Sequence, residues 1–283
     1  MPRPTMIRGM VLAALFVVLQ AAAAGSPQEP SPPSQDELRL KEELLLQKLA
    51  NPLAALASLK LVADFDYHVG PLEDGHRSSL LVQPTIPVHL GDEWNIISRS
   101  ILPVIYQEDI APGAGNQSGI GDLSEVVYIA SIQPGARGWI WGVGPIVRIP
   151  TGSDDLLSAG KWAVGPSGAL VRQVEDFTLG LIVAQLWSVG GSGQRSDIDA
   201  CTFEPFVTYR AEGLWNLSLH VSCTYDFITH QWIIPMALSV EKLVSFKKHP
   251  ITLSFGLHYW ADSPDSGPHD LAFDFGLTIV FPN

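Results

Sequence analysis

The chain has 283 residues, of which 46% are hydrophobic and only 16% are charged, and its formal net charge is −12. High apolar content with so few charges is unusual for a soluble globular protein, so either the chain is a large all-β protein or its outer surface faces lipid. An acidic chain without a Lys/Arg-rich tract lacks the basic footprint that nucleic acids require. We therefore expect no nucleic-acid partner.

Residues 1–24 have the three parts of a secretory signal peptide. Basic residues precede an apolar run over 10–19, and an alanine tract over 22–24 forms a small-residue cleavage site. The run is shorter than the ~20 apolar residues that a spanning helix needs, and no later window meets that need. We expect cleavage near Ala24, so that any membrane-embedded part of the mature chain consists of strands.

Residues 25–50 predict a periplasmic linker followed by one short helix. A Pro/Ser-rich stretch leads into a Leu-, Glu- and Lys-rich segment over 35–50, which opens with the capping box Ser34-x-x-Glu37 and stops before Pro52. Two interpretations of the helix stay open: a stiff lead-in to the next domain, or a plug that enters a barrel lumen.

Over 51–283 the pattern changes from helical spacing to alternation. In 214–226 and again in 271–281, every second residue is apolar and most of the residues between are polar, which is typical of a strand between two different environments. Comparable runs lie at 61–69, 78–89, 93–105, 119–130, 137–150, 160–172, 176–189, 199–209, 230–241 and 249–260. The sequence predicts an all-β fold, an antiparallel up-and-down transmembrane β-barrel of about twelve strands.

The connections between these runs alternate in length. The longer links are rich in Gly, Pro, Asp and Ser, and they lie at 70–77, 106–118, 151–159, 188–198 and 261–269, with a shorter one at 227–229. The intervening links are mostly tight turns. This alternation is typical of a barrel with outer loops and periplasmic turns, and it places most of the acidic residues in solvated loops.

Tryptophans mark the ends of the predicted strands. Trp94, Trp139 and Trp215 lie at periplasmic ends, and Trp162, Trp187, Trp232 and Trp260 lie at outer ends. An indole ring is apolar but has one N–H to satisfy, so this placement predicts two interfacial aromatic girdles.

The alternation also predicts which side chains line the lumen. With each apolar set turned outward, the inward residues are Asp64, Asp66, His68, Gln83, Asn95, Arg99, Arg148, Glu204, His220, His258 and Asp274, with Lys161 as a further candidate. Two interpretations stay open, a charge-selective pore lining and an Arg–carboxylate network that fills a narrow barrel. The phase of 119–130 is ambiguous, so Asp122 and Glu125 have no assigned face.

The two cysteines are a candidate disulfide. Cys201 and Cys223 lie about equally far from the turn near Glu212, which makes them direct cross-strand neighbours if no bulge intervenes. A disulfide is feasible at that spacing in an oxidising envelope, and two free, lipid-facing thiols are the alternative.

Chemical motifs are scarce. The sequence has no G-x-S-x-G, CxxC, phosphate loop or metal-spaced histidine pair, so we predict no catalytic residue, no cofactor and no metal ligand. Ser218 and Ser222 flank His220 at strand spacing, but the alternation points all three into the lumen.

Several stretches resemble one bacterial outer-membrane family, whose members are labelled transporters or putative MetA-pathway of phenol degradation proteins and sometimes mislabelled neuromedin U. The resemblance rests on 94–107 (WNIISRSILPVIYQ), 138–145 (GWIWGVGP), 161–166 (KWAVGP) and 185–188 (QLWS). It implies a barrel that transports a solute of apolar or aromatic character. The last strand, which ends on Phe281 and two further residues, resembles the signal read by the outer-membrane assembly machinery.

Together these features predict an outer-membrane channel of a Gram-negative bacterium, for passive or weakly selective passage of small solutes. Its expected partners are the outer-membrane lipid, the barrel assembly machinery and an unidentified solute. A closed structural or partner-binding barrel is the alternative, and a lipid-modifying envelope enzyme is a third hypothesis.

Overall fold

The computed structural model describes residues 34–246 and 249–281. The chain forms a closed antiparallel β-barrel of twelve wall strands, preceded by one short helix. The elements are α1 (Gln35–Leu49), β1 (Ala57–Val69), β2 (Gly75–Leu90), β3 (Trp94–Glu108), β4 (Gln117–Ile120), β5 (Leu123–Ser131), β6 (Trp139–Ile149), β7 (Lys161–Val174), β8 (Phe177–Gly191), β9 (Asp199–Ala211), β10 (Trp215–Val221), β11 (Cys223–Asp226), β12 (Gln231–Phe246), β13 (His249–Asp262) and β14 (Asp270–Phe281). Strand β1 pairs with both β2 and β14, so the sheet has no free edge. The predicted fold class is confirmed.

Two of the twelve wall strands are interrupted, which gives fourteen segments. Segments β10 and β11 form one wall strand, and the break at Ser222 lies opposite Pro235 of β12. Proline has no N–H to donate to the ladder, and the Ser222 N–H still donates to the Pro235 carbonyl at 3.0 Å. The pairing with β9 and β12 keeps one register on both sides of this break.

The other interruption changes the register. Segments β4 and β5 both pair with β3, but Val104 faces Ile120 whereas Ile101 faces Ser124, so the pairing advances by one residue across the gap at Gly121. Because side chains alternate between faces, a one-residue shift exchanges the two faces of the strand. This exchange explains why 119–130 has no single phase in the sequence.

The helix begins where the capping box predicts. The chain divides into two compact units, Met1–Leu38 and Arg39–Asn283. In the first unit, the Ser34 N–H donates to Glu37 at 3.0 Å and the Glu37 N–H donates to Ser34 at 3.2 Å. The predicted signal peptide (1–24), most of the predicted linker and the predicted turn at 247–248 lie outside the described residues.

A compact apolar cluster lies within the second unit. Leu53, which follows α1, packs against side chains of β3, β5 and β7, and it is only 2% exposed. Its backbone N–H donates to the Asn51 side chain at 2.9 Å, which turns the chain after the helix. None of the helices in the described residues combines the length and the apolar character needed to cross a membrane.

Candidate functional site: the barrel lumen

The packing of Leu53 identifies the inner face of the barrel. The other members of its cluster, among them Ile97, Tyr128 and Val171, are almost fully buried, while the residues that alternate with them are exposed, as at Ile129 and Leu170. In a closed barrel, the face on which the side chains cluster and are buried is the inner one, and the exposed alternating face is the outer one. The face of each strand then follows from its pairing register.

Ten of the eleven predicted lumen residues lie on this inner face. They are Asp64, Asp66, Gln83, Asn95, Arg99, Arg148, Glu204, His220, His258 and Asp274. The face of His68 does not follow from the register, and its inward position stays a prediction. A register shift between Asp66 and Val69 removes His68 from the regular ladder, and its half-exposed ring lies 3.1 Å from Asp270 at the outer end of β14.

Hydrogen bonds tie many of the inner-face polar side chains together in the outer half of the barrel. Arg77 donates to Gln107 at 3.0 Å, and Arg99 donates to Gln83 at 2.9 Å. Each bond links neighbouring strands β2 and β3, so these two strands present guanidinium groups held in fixed positions. The sequence prediction missed Arg77 and Gln107 because each lies just beyond the predicted end of its strand.

A group of acidic side chains with one histidine lies on β1, β13 and β14. Asp64 faces Asp274 directly across the ladder, and the His258 Nε2 lies 2.6 Å from the Asp274 Oδ2. The indole N–H of Trp260 donates to Asp66 at 3.1 Å on the same face. One ligand atom each from Asp64, His258 and Asp274 lies within 4.8 Å of the other two.

A second acid–histidine pair lies on β9 and β10. The Glu204 carboxylate is 3.7 Å from His220 Nε2, and the Ser222 hydroxyl donates to the same carboxylate at 3.4 Å. The serine is thus oriented by the acid rather than by the imidazole, whereas a nucleophilic serine needs a base to take its proton. Ser218 is bonded to Thr208 instead.

Strands β5 to β8 present a different inner face. Their inward side chains are mostly apolar in the half near the turns, and they include Val126, Ala130, Ile140, Ala169 and Ile182 around Leu53. Tyr128 is buried among them, and its hydroxyl pairs with Ser167 at 2.8 Å. Inward charge on these strands is confined to their outer ends, at Arg148 and Lys161.

The part of α1 from Arg39 onward lies against inner-face residues at the turn end of the barrel. The Ser245 hydroxyl donates to Glu42 at 2.8 Å, and Gln173 donates to the Gln47 carbonyl at 2.8 Å. Arg210 and Asn216 donate to carbonyls of the same helix. Leu46 is fully buried. Of the two interpretations left open by the sequence, these contacts favour the plug.

Six of the seven predicted girdle tryptophans lie on the outer face, and Trp260 is the exception. Trp139 and Trp215 each carry a cation over the ring, from Arg172 at 5.9 Å and Lys242 at 4.8 Å. These basic side chains lie where a barrel in a membrane would meet the lipid headgroups. Trp260 was wrongly assigned because it shares the inward phase of His258, and its indole binds Asp66 in the lumen.

The expected cross-strand pairing of the cysteines is wrong. Cys201 faces Tyr225, and Cys223 faces Phe203. The three-residue turn after β9 is centred on Gly213 rather than Glu212, and a shift of one residue in the centre moves every partner by two. Both cysteines are free.

The structure places the two acids that the sequence left unassigned. Asp122 leaves the ladder at the register shift and accepts hydrogen bonds from Gly152, Ser158 and Ala159, which ties the outer loop over 150–160 to the wall. Lys161, at the end of this loop, donates to Asp197 at 2.8 Å, and this bond lowers the pKa of the Asp197 carboxyl.

Glu125 lies on the outer face, near the start of β5 and at mid-height of the wall strand that β4 and β5 form together. The hydroxyl of Ser98 donates to it at 2.6 Å, and that of Ser100 donates to its other oxygen. The inward residues of β3, such as Ile97 and Arg99, alternate with these two serines. A carboxyl group and two hydroxyl groups therefore face the surroundings of the barrel where the neighbouring outward residues are apolar.

Solved structures with this fold are outer-membrane barrels. The COG4313 outer membrane channel from Pseudomonas putida F1 is similar at a TM-score of 0.62 and 16% identity, over 80% of this chain and 96% of that one. The NanC porin is similar at a TM-score of 0.52 and 12% identity, over 80% of this chain and 100% of that one. At these identities the likeness shows the fold alone. Neither protein-family models nor curated proteins match the chain.

Proposed function

We propose that this chain is a channel in the outer membrane of a Gram-negative bacterium, and that small solutes cross it along the charged side of its lumen. The observation that carries the proposal is the two-sided lumen. Strands β9 to β14 and β1 to β3, named here the charged wall, carry acidic and basic side chains from the outer end to the turn end. Strands β5 to β8, named the apolar wall, seat Leu53 together with Ile97 of β3 and Phe206 of β9 at its borders.

The charged wall supports a water-filled path. It extends from Asp66 near the outer loops, through Asp274, to Glu241, which accepts hydrogen bonds from Asn216 and Thr252 near the turns. Buried charges without full pairing are costly in a dry interior, so inner-face charges over this height favour contact with water. The likeness to solved channels and porins supports the same assignment at the level of fold.

The solute class follows from the two walls together. A passage with apolar side chains on one side and fixed hydrogen-bonding groups on the other suits a small solute with an apolar face and a polar group. A hydroxylated aromatic compound has this character, in keeping with the phenol-related labels of the family that the sequence resembles. The Arg77 and Arg99 guanidinium groups would orient its oxygen.

The position of α1 indicates how the path is restricted. Its hydrogen bonds reach inward residues of β7, β9, β10 and β12 at the turn end. Displacement of the helix would widen the mouth on that side. The hydrogen-bonded side chains of Glu42 and Ser245 offer a way to fix the helix in place.

The test uses planar-bilayer recording on the full mature chain with Cys201→Ser and Cys223→Ser as background. Glu42→Cys and Ser245→Cys are added and joined by a short bis-maleimide. We expect conductance before cross-linking and at least a fivefold fall after it, while the Glu42→Cys single variant treated in the same way is unchanged. Absence of both conductance and solute flux in every form would refute the channel. Equal conductance before and after cross-linking would refute the restriction by α1 and leave the channel standing.

A further inference from the structure

We propose that Asp64, His258 and Asp274 form a binding site for a transition-metal dication in the lumen. The three side chains come from the adjacent strands β1, β13 and β14 and lie on their inner faces. One ligand atom from each lies within 4.8 Å of the other two. Small side-chain rotations bring such a triad to the ~2.0–2.2 Å at which nitrogen and carboxylate oxygen bind zinc.

The ladder register holds this arrangement in place. Asp64 and Asp274 are direct cross-strand partners, and Asp274 also faces Gly256 of β13. A Cβ added at Gly256 would overlap the Asp274 carboxylate, so this glycine leaves the space that the carboxylate occupies. His258 follows two residues later on the same face and reaches back to Asp274. The site is therefore defined by backbone pairing and not by mobile loops.

The charges of the group point to a cation. Two carboxylates directly opposite each other on one face destabilise a ladder, and Asp66 adds a third on the same face. The Asp274 side chain is only 10% exposed, yet within the described residues its Oδ1 accepts no hydrogen bond, and Asp64 accepts none at either oxygen. These free oxygens are not sealed from solvent, so a dication in the lumen would reach them and offset the repulsion between the two carboxylates.

The donor set selects the kind of cation. One imidazole nitrogen and two carboxylates suit Zn²⁺, Co²⁺, Fe²⁺ or Mn²⁺, whereas Ca²⁺ and Mg²⁺ take ligands that are almost all oxygen. A triad leaves further positions for water. The His258 side chain is 25% exposed, so the lumen gives water and ions access to it. Among these four cations we expect Zn²⁺ to bind most tightly. Co²⁺ serves as the probe because its complexes absorb visible light.

The experiment titrates the refolded, untagged mature chain in detergent micelles with Co²⁺ and follows visible absorption and heat. We expect one Co²⁺ per chain with micromolar affinity, displaced by Zn²⁺ and not by Ca²⁺. His258→Gln and Asp274→Asn should each weaken binding at least tenfold. The matched control is His220→Gln, which removes the histidine of the other acid–histidine pair on the inner face, and it should bind as the unmodified chain does.

Folding of each variant is checked by circular dichroism and by the heat-dependent gel shift of a closed barrel. If Asp274→Asn fails to fold, Asp64→Asn removes the facing carboxylate from a less buried position and should show the same tenfold loss. Binding of equal strength in the unmodified chain and in His258→Gln would overturn the proposal. So would the lack of saturable Co²⁺ binding below millimolar concentration in the unmodified chain, because His258 would then act only as the ion-pair partner of Asp274.

Discussion

The apolar wall and the charged wall are built from the same antiparallel ladder, yet they differ in what their inner faces contact. On β5 to β8 the inward side chains pack against Leu53 and against one another, as in the core of a soluble protein. On β1, β13 and β14 the inward side chains include carboxylates and a histidine whose hydrogen bonds are few and local. One wall is a seat for the N-terminal segment, and the other is the surface that a solute or an ion meets.

The difference indicates that the lumen need not be wholly filled or wholly open. The sequence left these as two alternatives because alternation assigns a face to a residue and says nothing about what lies opposite to it. A barrel of twelve strands is wide enough for one side to be packed while the other remains polar.

Removal of the side chain that occupies the apolar wall should have the largest effect. Leu53→Ala leaves a cavity among Ile97, Tyr128 and Val171, and large-to-small changes of buried leucine cost about 2–5 kcal/mol. We expect a fall of this size in the free energy of unfolding, measured by urea titration in lipid vesicles, together with a higher single-channel conductance.

The control for this change is Leu44→Ala, since Leu44 lies on α1 and is 47% exposed. It should alter the free energy of unfolding by less than ~0.5 kcal/mol. Equal effects of the two substitutions would show that Leu53 is not seated in a core, and the two-walled description would fail.

The outer surface of the apolar wall allows a second test. Strand β5 turns Val126 and Tyr128 inward and Glu125 outward, so its polarity is the reverse of that expected for a lipid-facing strand. Glu125→Leu should raise the free energy of unfolding in vesicles by about 1 kcal/mol, because a carboxyl group then no longer faces hydrocarbon.

Glu108→Leu, at the outer end of β3, is the matched control and should change stability little. A loss of stability in Glu125→Leu would contradict the prediction. The two serine hydroxyls would then depend on Glu125 for the local structure of the wall.

The smallest effect concerns the register of the charged wall. Since Cys201 faces Tyr225 and not Cys223, mature protein alkylated without a reductant should take up two labels in mass spectrometry. Tyr225→Cys, made with Cys223→Ser, should instead form a disulfide with Cys201 on oxidation. Oxidation of the natural pair, with no label taken up, would place the turn centre at Glu212 after all.

The period-two pattern was sufficient to predict the fold. Strand number, closure and the N-terminal helix follow from alternation, from long and short links and from the Ser34 capping box, all of which depend on local sequence. The inner face was predictable for the same reason wherever the register is unbroken, as at Asp274 and Glu204.

The errors lie where the ladder departs from regularity or where contacts are distant in sequence. A bulge removes His68 from the regular ladder, and Cys201 faces Tyr225 because the turn is centred one residue later. The cluster around Leu53 includes residues that lie 44 to 118 positions after Leu53 in the chain, from Ile97 to Val171, and no local pattern encodes it. The proposed metal site is of the same kind, since Asp64 meets Asp274 only when the barrel closes.

The register shift at Gly121 and Asp122 shows how strictly the position of a residue along a strand decides whether its side chain points inward or outward. Along β8 the pairing with β9 is continuous from Phe177 to Trp187, so deletion of one residue would exchange every inward and outward side chain beyond it. Between β4 and β5 the chain already makes such an exchange and uses the displaced Asp122 to hold an outer loop. Insertions and deletions during evolution should therefore be tolerated at this junction and eliminated along β8.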